Sequence, residues 1–580
     1  MKNRSDRYNN DPSEDKYEKI IDLAMRRGFF WPSYEIYGGV AGLYDLGPLG
    51  VLLKRRIIDL WRKIFIERHQ DYVVEIETPI ITPKKVLEAS GHVEHFTDPI
   101  VECTSCGRKY RADHLIKDVL NINVEGLSIE ELTRIIREKD VRCPVCGGVL
   151  GDVKRFSLLF TTTIGPYSDS IGFLRPEAAQ GMFTAFKRVY EAMRNRFPIG
   201  IAQIGRVGRN EISPRQSMIR LREFTIMEIE FFFDPKNPEC PLLDDVRDVK
   251  INILRGEEKL RGEEKPSSYK IIEAVEEKII SQPWQAYWMA ISQEFVQRLG
   301  VSPDNIFFEE KLPHERAHYA QQVFDQMVKV SRWGWIEVSG HAYRTNYDLS
   351  RHQLFSGADL SIFRRYEKPL IIKKRKILLD KNAVLRIYGE EAPRIFRELS
   401  GKNLDELATK IVEENGYIII DGVKYNKEIF KIEDVEEKIY GERIIPHVVE
   451  PSFGAERLLY ITLDNAYVEE EDRIVLKLPK EIAPIQVAVL PLLEREDMIK
   501  VSKKLKNMLI EEGFYVLYDE SGSIGRRYAR ADEIGVPYAV TIDHQTLLDE
   551  TVTVRFRDTK EQIRIKISEL AKFLEKEFKK

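Results

Sequence analysis

The sequence predicts a multidomain α+β protein organised around an antiparallel β-sheet, and three observations support this fold class. First, a chain of 580 residues is longer than one hydrophobic core usually accommodates, so several domains are expected. Second, residues 156–234 alternate strand-like apolar runs with one helical stretch near residues 178–194, as in an antiparallel sheet with a flanking helix. Third, residues from Ile482 onward show a strand, an amphipathic helix and a second strand, which predicts a separate α/β domain.

The composition is typical of a soluble globular protein. Hydrophobic residues make up 43% and charged residues 32% of the chain, and the net charge is −4. No global basic field therefore attracts nucleic acid, and RNA binding would need local basic patches. The polar first residues resemble no secretory signal, and no apolar run reaches the roughly 20 residues that span a bilayer. We expect a cytoplasmic protein with no membrane segment.

The remaining organisation follows from periodicity. Residues 51–68 place apolar and basic side chains at helical spacing and lead into a β-rich segment at residues 73–82, which predicts a long helix feeding a strand. Residues 266–332 are mostly helical by pattern, whereas residues 333–347 have strand character. Residues 354–442 are charged and mixed, and we interpret them as an insertion of unclear role.

Four of the five cysteines form two CxxC pairs, each followed by glycine. Four thiolates on such turns can close a tetrahedral zinc site, and five cysteines are too few for a disulfide framework in so long a chain. Free thiols or a degenerate site are the alternatives. Ser128 and Glu131 form a predicted capping box that opens a helix between the pairs, and Cys240 is expected to be a packed core residue. The expected zinc ligands are Cys103, Cys106, Cys143 and Cys146.

Two segments carry a family resemblance: FLRPEAAQGMFTAFK (173–187) and AQIGRVGRNEISPRQSMIRLREFTIMEIEFFFDP (202–235) resemble glycyl-tRNA synthetases. Arg209-Asn210-Glu211 matches motif 2 of class II synthetases, and EPSFGAERLLY (450–460) matches motif 3 with Arg457. The resemblance extends over nearly the whole chain and is weakest in residues 354–442. It implies a class II antiparallel catalytic core flanked by helices, a zinc-ribbon-like insertion and a C-terminal α/β anticodon-binding domain.

The resemblance also implies an activity and a division of the chain. The activity is ATP-dependent ligation of glycine to tRNA(Gly) through a glycyl-adenylate, with Mg²⁺, a structural Zn²⁺ and a homodimer formed through motif 1, the helix at residues 51–68 and the strand toward Pro83. The implied domains are the N-terminal core with motif 1 (1–100), the zinc insertion (101–155), the core with motif 2 (156–353), the insertion of unclear role (354–442), the core with motif 3 (443–481) and the anticodon-binding domain (482–580).

The implied reaction brings a carboxylate to the α-phosphate of ATP, so positioned arginines must neutralise two anions. By resemblance, Arg209 holds the α-phosphate and the carboxylate, Arg457 holds the γ-phosphate, and Phe224 stacks on adenine. Glu337 is implied at the ATP and its magnesium, because hard cations prefer carboxylates. The implied ATP-binding residues are Arg209, Asn210, Glu211, Arg220, Leu221, Arg222, Glu223, Phe224, Glu337, Val338, Gly454 and Arg457.

Glycine offers only an ammonium, a carboxylate and two α-hydrogens, so its pocket must be small and acidic. By resemblance, Glu228 binds the ammonium together with Glu177 and Glu450, and Ser452 lies close to the α-carbon. Strand side chains alternate faces, so Phe224 and Glu228 share one face about 13 Å apart, which is a nucleotide's length. The implied glycine-binding residues are Arg111, Glu177, Phe224, Glu228, Arg344, Glu450 and Ser452.

Basic side chains also cluster in the C-terminal domain. Arg526, Arg527 and Arg530 lie beside turn glycines and suit phosphates and stacked bases of an anticodon, with a solvated helix face as the alternative. For Arg111 the alternative is a structural ion pair.

Two competing functions remain to be weighed: a class II synthetase for another amino acid, and a non-catalytic tRNA-binding paralogue. The three glutamates and the serine of the implied pocket match the glycine enzyme and argue against the first. Both motif arginines and the adenine-stacking aromatic are present, which argues against the second.

Overall fold

The computed structural model describes residues 12–124, 126–167, 169–214, 216–400, 404, 413–414, 416–420, 422–471 and 473–579. The chain forms two compact units. The first comprises Met1–Leu360 and Pro446–Lys580, and the second comprises Ser361–Ile445. Within the described ranges, no helix combines the length and apolar character needed to cross a membrane.

The first unit begins with a helix, a short pair of strands and a second helix that starts at Pro48. Pro48 occupies the first turn of that helix, where its fixed φ is favourable, and Leu53, Ile57 and Leu60 form its buried face. A π-helical stretch, Arg62–Glu67, extends it toward a strand, so the predicted helix feeding a strand is confirmed. The elements are α1 (Pro12–Arg27), β1 (Phe30–Pro32), β2 (Tyr44–Leu46), α2 (Pro48–Trp61), β3 (Val73–Glu75), β4 (Ile81–Pro83), α3 (Lys84–Ala89), α4 (His92–His95) and β5 (Thr97–Glu102).

The cysteine-bearing segment forms a small sheet with two helices and its own core. The predicted capping box is confirmed: Ser128 Oγ accepts from Glu131 N at 3.2 Å, and Glu131 Oε2 accepts from Ser128 N at 2.9 Å. The strand order is β6-β5-β7. The added elements are β6 (Lys109–Arg111), α5 (Ala112–Leu120), α6 (Ile129–Glu138) and β7 (Lys154–Ser157).

The central region supplies most of the main sheet. The predicted antiparallel strands around one helix are confirmed by β10, β11 and α7, but the helical prediction for residues 266–332 is wrong where β13, β14 and β15 lie. Gln322 and Gln326 point inward on β15, so buried polar residues hid its alternation of apolar residues. The elements are β8 (Thr161–Thr163), β9 (Ile171–Leu174), α7 (Ala179–Ala192), β10 (Ile199–Gly208), β11 (Glu223–Phe233), α8 (Leu243–Val246), β12 (Lys250–Leu254), α9 (Gly256–Leu260), β13 (Ser267–Lys270), α10 (Ile271–Glu276), α11 (Pro283–Arg298), β14 (Ile306–Glu310), β15 (Gln322–Val330), β16 (Gly334–Thr345) and α12 (Tyr347–Ser356).

The second unit contains a long two-stranded antiparallel ribbon, β17 with β21, and a small core around Val384, Ile395 and Ile429. Its elements are β17 (Ile362–Leu379), α13 (Lys381–Tyr388), α14 (Ala392–Ser400), β18 (Glu413–Glu414), β19 (Tyr417–Ile420), β20 (Val423–Asn426) and β21 (Phe430–Ile444).

The chain then completes the main sheet. Its nine strands have the order β13-β12-β14-β15-β16-β22-β11-β10-β3, antiparallel except for the pairs β12–β14 and β10–β3. Strand β22 lies between β16 and β11, which places motif 3 beside motif 2 although all the elements from α8 to β21 separate them in sequence. The added elements are β22 (His447–Gly454), α15 (Ala455–Ala466), β23 (Tyr467–Glu470) and β24 (Arg473–Leu476).

The C-terminal part has the predicted α/β pattern. Its sheet has the order β26-β25-β27-β28-β29, in which β25 runs parallel to β26 and β27. The parallel strand β25 is apolar throughout because both of its faces are covered. The elements are β25 (Val487–Pro491), α16 (Glu496–Glu511), β26 (Val516–Tyr518), α17 (Ile524–Glu533), β27 (Tyr538–Ile542), α18 (Thr546–Asp549), β28 (Thr551–Phe556), β29 (Gln562–Lys566) and α19 (Ile567–Lys579).

Candidate active site

A cavity of about 450 Å³ lies against strands β11, β15, β16 and β22 of the main sheet. It gathers most of the predicted substrate residues, which come mainly from motif 2, motif 3 and strand β16, the other neighbour of the motif 3 strand in the sheet. The predicted residues that line it are Glu177, Arg209, Glu211, Arg220, Leu221, Phe224, Glu228, Glu337, Val338, Glu450, Ser452, Gly454 and Arg457.

One end of the cavity is built around Glu228. The sheet register places Glu228 opposite Ser452, and Ser452 opposite Gly340 on the next strand. Glu228 Oε1 accepts from Ser452 Oγ at 2.8 Å, and Oε2 accepts from Ala178 N at 2.7 Å. These two donors fix the carboxylate on the cavity wall. Gly340 contributes no side chain to this part of the wall. The space beside it is open, because nothing lies within 4 Å of an added Cβ.

Arg344 organises the neighbouring acids from behind the cavity wall. Its side chain has 0% exposure and donates to Asp348 at 2.9 Å, Glu450 at 3.0 Å and Glu177 at 3.4 Å. Its Cζ also lies 3.7 Å from the centre of the Tyr319 ring. Arg344, one of the implied glycine-binding residues, does not line the cavity and instead holds two carboxylates that do, those of Glu177 and Glu450.

The acidic side chains at this end differ in the direction of their pKa shifts. Burial, together with Glu450 and Glu177, raises the pKa of Glu228 to about 8. Burial also raises the pKa of Glu450, although Arg344 opposes it. The pKa of Glu177 is held well below its usual range, because His92 and Arg344 outweigh its burial. Ionisation of these neighbouring carboxyl groups is therefore mutually unfavourable, and a bound cation would offset their repulsion.

The other end of the cavity carries two oriented arginines. Arg209 Nε donates to the carbonyl oxygen of Pro176 at 3.0 Å, and its Cζ lies 5.3 Å from the centre of the Phe224 ring. Arg457 Nε donates to the carbonyl oxygen of Ile219 at 3.1 Å. Each backbone contact orients a guanidinium toward the cavity, where such a group can bind phosphate oxygens.

Three predicted ATP-site residues lie outside the cavity lining. Arg222 Nη2 donates to the carbonyl oxygen of Glu211 at 2.8 Å and Nη1 to that of Ala41, so this arginine fixes the motif 2 loop. Glu223, the first residue of β11, pairs with Arg206 of β10 at 2.7 Å. Asn210 is held by its backbone, which donates to the carbonyl oxygen of Leu158 at 2.7 Å.

Sequence reasoning missed several residues of the cavity wall. Lys311 pairs with Asp325 at 3.1 Å, and burial and Glu337 raise the pKa of Asp325 to about 7. Neither residue lies in a recognisable motif, and only the pairing of β14 with β15 brings them together. The lining residues not predicted from sequence include Lys311, Glu315, Arg316, Tyr319, Asp325 and Glu456.

The four paired cysteines converge. Their sulfur atoms all lie within 4.8 Å of one another, with Cys103 and Cys146 at 3.5 Å and Cys106 and Cys143 at 3.8 Å. A tetrahedral zinc with bonds of about 2.3 Å needs sulfur separations of about 3.8 Å, so the cluster fits that ion. Cys240 is buried in the main core, as expected.

Arg111 is placed away from the acids of the first cavity. It pairs with Asp113 at 2.9 Å and with Asp98 at 3.2 Å, and it lines a second cavity of about 470 Å³. The structural ion pair that was the alternative for Arg111 is therefore present, and the glycine contact has no geometric support here.

The C-terminal arginines differ in their surroundings. Arg527 is buried and donates to the carbonyl oxygens of Pro491 and Glu520, so it stabilises the domain and is not offered to RNA. Arg530 pairs with Asp519 at 2.6 Å and is partly exposed. Arg526 lines a shallow surface groove.

Comparisons with known proteins agree with this geometry. Residues 486–577 match the family model described as an anticodon binding domain, which confirms the C-terminal prediction. The chain is similar to the glycine–tRNA ligase of Aeropyrum pernix, at 58% identity over 96% of each chain. It is also similar to the glycine–tRNA ligases of Pyrococcus abyssi, at 50% identity over 97% of this chain and 98% of the relative, and Methanocaldococcus jannaschii, at 47% identity over 98% and 100%.

The fold is likewise similar to a solved structure, the prolyl-tRNA synthetase of Cryptosporidium parvum complexed with L-proline and AMP. The TM-score is 0.51 at 12% identity, and the match covers 97% of this chain and 74% of the other. This likeness supports the predicted class II fold. Given the near-complete coverage of its relatives, the chain belongs to the glycine–tRNA ligase family.

Proposed function

We propose that this protein attaches glycine to tRNA(Gly) in two steps, of which the first consumes ATP. The carboxylate of glycine attacks the α-phosphorus of ATP, the bond to the β-phosphate breaks and pyrophosphate leaves. A terminal hydroxyl of the tRNA then attacks the activated carbonyl carbon, and AMP leaves. The observation that carries the proposal is one cavity with a fixed carboxylate at one end and two oriented arginines at the other.

The acidic end would bind glycine. Glu228 would pair with the ammonium, while Glu177 and Glu450, held by Arg344, add negative charge around it. Ser452, hydrogen-bonded to Glu228, would lie close to the α-carbon. A larger amino acid would need space that this wall occupies, and rejection of an oversized substrate can be strong without editing.

The arginine end would bind ATP. Phe224 would stack on adenine, Arg209 would meet the α-phosphate and Arg457 the γ-phosphate, because planar guanidinium groups bind phosphate oxygens through paired hydrogen bonds. Glu337, half exposed beside Arg457 at 3.5 Å, would hold Mg²⁺. When bound, the ion would neutralise charge on the phosphates. The protein's own contribution is to orient both anions toward each other.

We further propose that the cysteine cluster holds one structural zinc ion, which the sulfur separations support. Metal analysis of the native protein should then find about one zinc per chain, and Cys143→Ser should release it and destabilise the module. A folded preparation without zinc would refute this assignment. Cys240→Ser is the matched control, because that thiol lies in the main core.

The proposed partners are tRNA(Gly), bound in part through the C-terminal domain, and a second copy of the chain in the cytoplasm. The loop after β1 exposes Tyr34, Ile36 and Tyr37, with Ile36 at 88% exposure, and lies close in sequence to the motif 1 helix α2. Contiguous exposed apolar side chains are typical of protein interfaces. Light scattering should report a dimer, and a stable monomer would contradict it.

The decisive experiment is ATP–pyrophosphate exchange with each standard amino acid in turn. We expect exchange with glycine and at most weak exchange with alanine. Exchange driven best by another amino acid would identify a different class II synthetase. No exchange with any amino acid, by protein that binds tRNA, would identify a non-catalytic paralogue.

A further inference from the structure

Residues 90–98, which we term the strap, connect helix α3 to the cysteine module and include α4 and the start of β5. No residue of the strap was expected in the site from the sequence. In the structure, three of its side chains each contact a different charged group of the active site. Gly91 has a φ of +84°, and an added Cβ would lie 2.9 Å from His318 Nε2, so the strap turns tightly against its surroundings.

The first contact is made by His92, which is buried. Its Nε2 lies 3.3 Å from Glu177 Oε1, and its Nδ1 lies 2.8 Å from Ser90 Oγ. Because a carboxylate only accepts hydrogen bonds, Nε2 must carry the proton in this contact. The ring also stacks on Tyr319, at 6.3 Å between centres. His92 thus contacts the same oxygen of Glu177, Oε1, that accepts from Arg344 and Gln180.

The second contact is made by Phe96. The Cζ atom of Arg209 lies 5.7 Å from the centre of this ring and 5.3 Å from that of Phe224. Two aromatic faces and the carbonyl oxygen of Pro176 therefore restrict the guanidinium of Arg209. Cation–π contacts of this kind favour one position of a charged group over others.

The third contact is made by Asp98, whose carboxylate is buried. Its Oδ2 lies 3.2 Å from Arg111 of the cysteine module and 3.9 Å from Arg220 of the motif 2 loop. Arg220 also pairs with Glu211, at 2.7 Å. Asp98 therefore lies between a module arginine and an arginine of the cavity wall.

We propose that the strap is a positioning element of the active site, in which His92 acts on glycine binding, Phe96 on the chemical step and Asp98 on ATP binding. The assignment follows from the partner of each side chain: Glu177, Arg209 and Arg220 respectively. It rests on the proposed activation of glycine by ATP. The strap continues directly into the cysteine module, so the same segment joins that module to all three parts of the reaction.

The test is pyrophosphate exchange by the full chain with three variants, measuring kcat and the KM values for glycine and ATP separately. His92→Ala should raise the glycine KM about three- to tenfold, the range of one ordinary hydrogen bond, because His92 acts on glycine only through Glu177. Phe96→Leu should lower kcat by roughly two- to thirtyfold, the range of a cation–π contact. Asp98→Asn should raise the ATP KM about threefold or more, because Arg220 loses one of two anionic partners.

Conservative variants and a matched control separate positioning from folding. His92→Gln, Phe96→Tyr and Asp98→Glu retain the contacting group and should recover most of each parameter. Glu94→Gln, an exposed change within the strap, should leave all three parameters unchanged.

Two kinds of result would overturn the proposal: all three variants changing the same parameter, or the conservative variants failing to recover while the protein stays folded. A wild-type protein without glycine-dependent exchange would instead refute the proposed function, so the two failures are distinguishable.

Discussion

The two ends of the active-site cavity solve different problems. At the acidic end, Glu228 has 2% exposure and Glu450 6%, and each carboxylate is fixed by donors from the protein. At the arginine end, Glu337 keeps 49% of its side chain exposed, and Arg457 is oriented by a backbone carbonyl. The closed end suits a small cation that must be selected. The open end suits a large, hydrated polyphosphate that must enter and whose product must leave.

The two ends also differ in their electrostatics. The acidic end crowds carboxyl groups in a buried space, which makes ionisation of Glu228 unfavourable until a cation arrives. The arginine end presents cations that are oriented before the negative charge of the transition state develops there. Changes at the arginine end should therefore reduce the rate of the chemical step, whereas changes at the acidic end should weaken glycine binding.

The largest expected effect is at the arginine end. Arg209→Ala or Arg457→Ala should lower kcat for pyrophosphate exchange by about a hundred- to a thousandfold, as expected when a preorganised charge at the reacting phosphate is lost. The melting temperature should change little, because both guanidinium groups face the cavity. Exchange near the wild-type rate in either variant would contradict the roles assigned to the arginines. Arg261→Ala is the control, because this exposed arginine pairs with Glu263 at 2.9 Å outside the lining.

The next effect is at the acidic end. Glu228→Gln should raise the glycine KM by roughly ten- to a hundredfold, since a charged partner of the ammonium is lost, while the ATP KM stays within about twofold. An equal rise in both KM values would mean that the two ends are not independent. Steady-state exchange at varied concentrations of each substrate measures both constants.

A smaller effect is expected from pH. With its pKa raised to about 8, Glu228 in the empty site is protonated at neutral pH, and glycine binding must release that proton. The glycine KM should fall as pH rises toward about 8 and then level off, and calorimetry in two buffers should detect the released proton.

The same shift affects stability. The folded pKa lies above the unfolded value of 4.5, so the stabilising contribution of protonated Glu228 is complete below that value and is lost as pH rises through about 8. Added glycine should therefore raise the melting temperature more above pH 8 than near pH 6. A pH-independent glycine KM would show that Glu228 is already ionised in the empty site.

The smallest effect is expected far from the cavity. Arg526→Ala should raise the KM for tRNA only a few fold, about what one exposed phosphate contact contributes, and should leave pyrophosphate exchange unchanged. Aminoacylation and exchange assays on the same preparation make the comparison. A matching loss of exchange would show that this arginine acts through the catalytic core. Arg564, exposed on β29 at the edge of the C-terminal sheet, provides a control substitution.

Much of the site could be predicted because its chemistry lies in short segments. The motif 2 arginine, Phe224 and Glu228 occupy one loop and strand, so local alternation places them correctly. The cysteine pairs are similarly local, and each CxxC turn presents its sulfurs by backbone geometry alone. Strand β15 was missed because burial of Gln322 and Gln326 depends on hydrogen-bond partners that local sequence does not reveal.

The sequence by itself determined the family, the fold class, the motif residues and the four-cysteine cluster, because these depend on residue type and short spacing. Only the tertiary structure decided which charged side chains line the cavity. Arg344 and Arg527 are buried as supports, and His92 reaches Glu177 only after the chain has folded back across the whole cysteine module. The physical reason is that the role of an arginine or histidine depends on its burial and partners, and those come from distant parts of the chain.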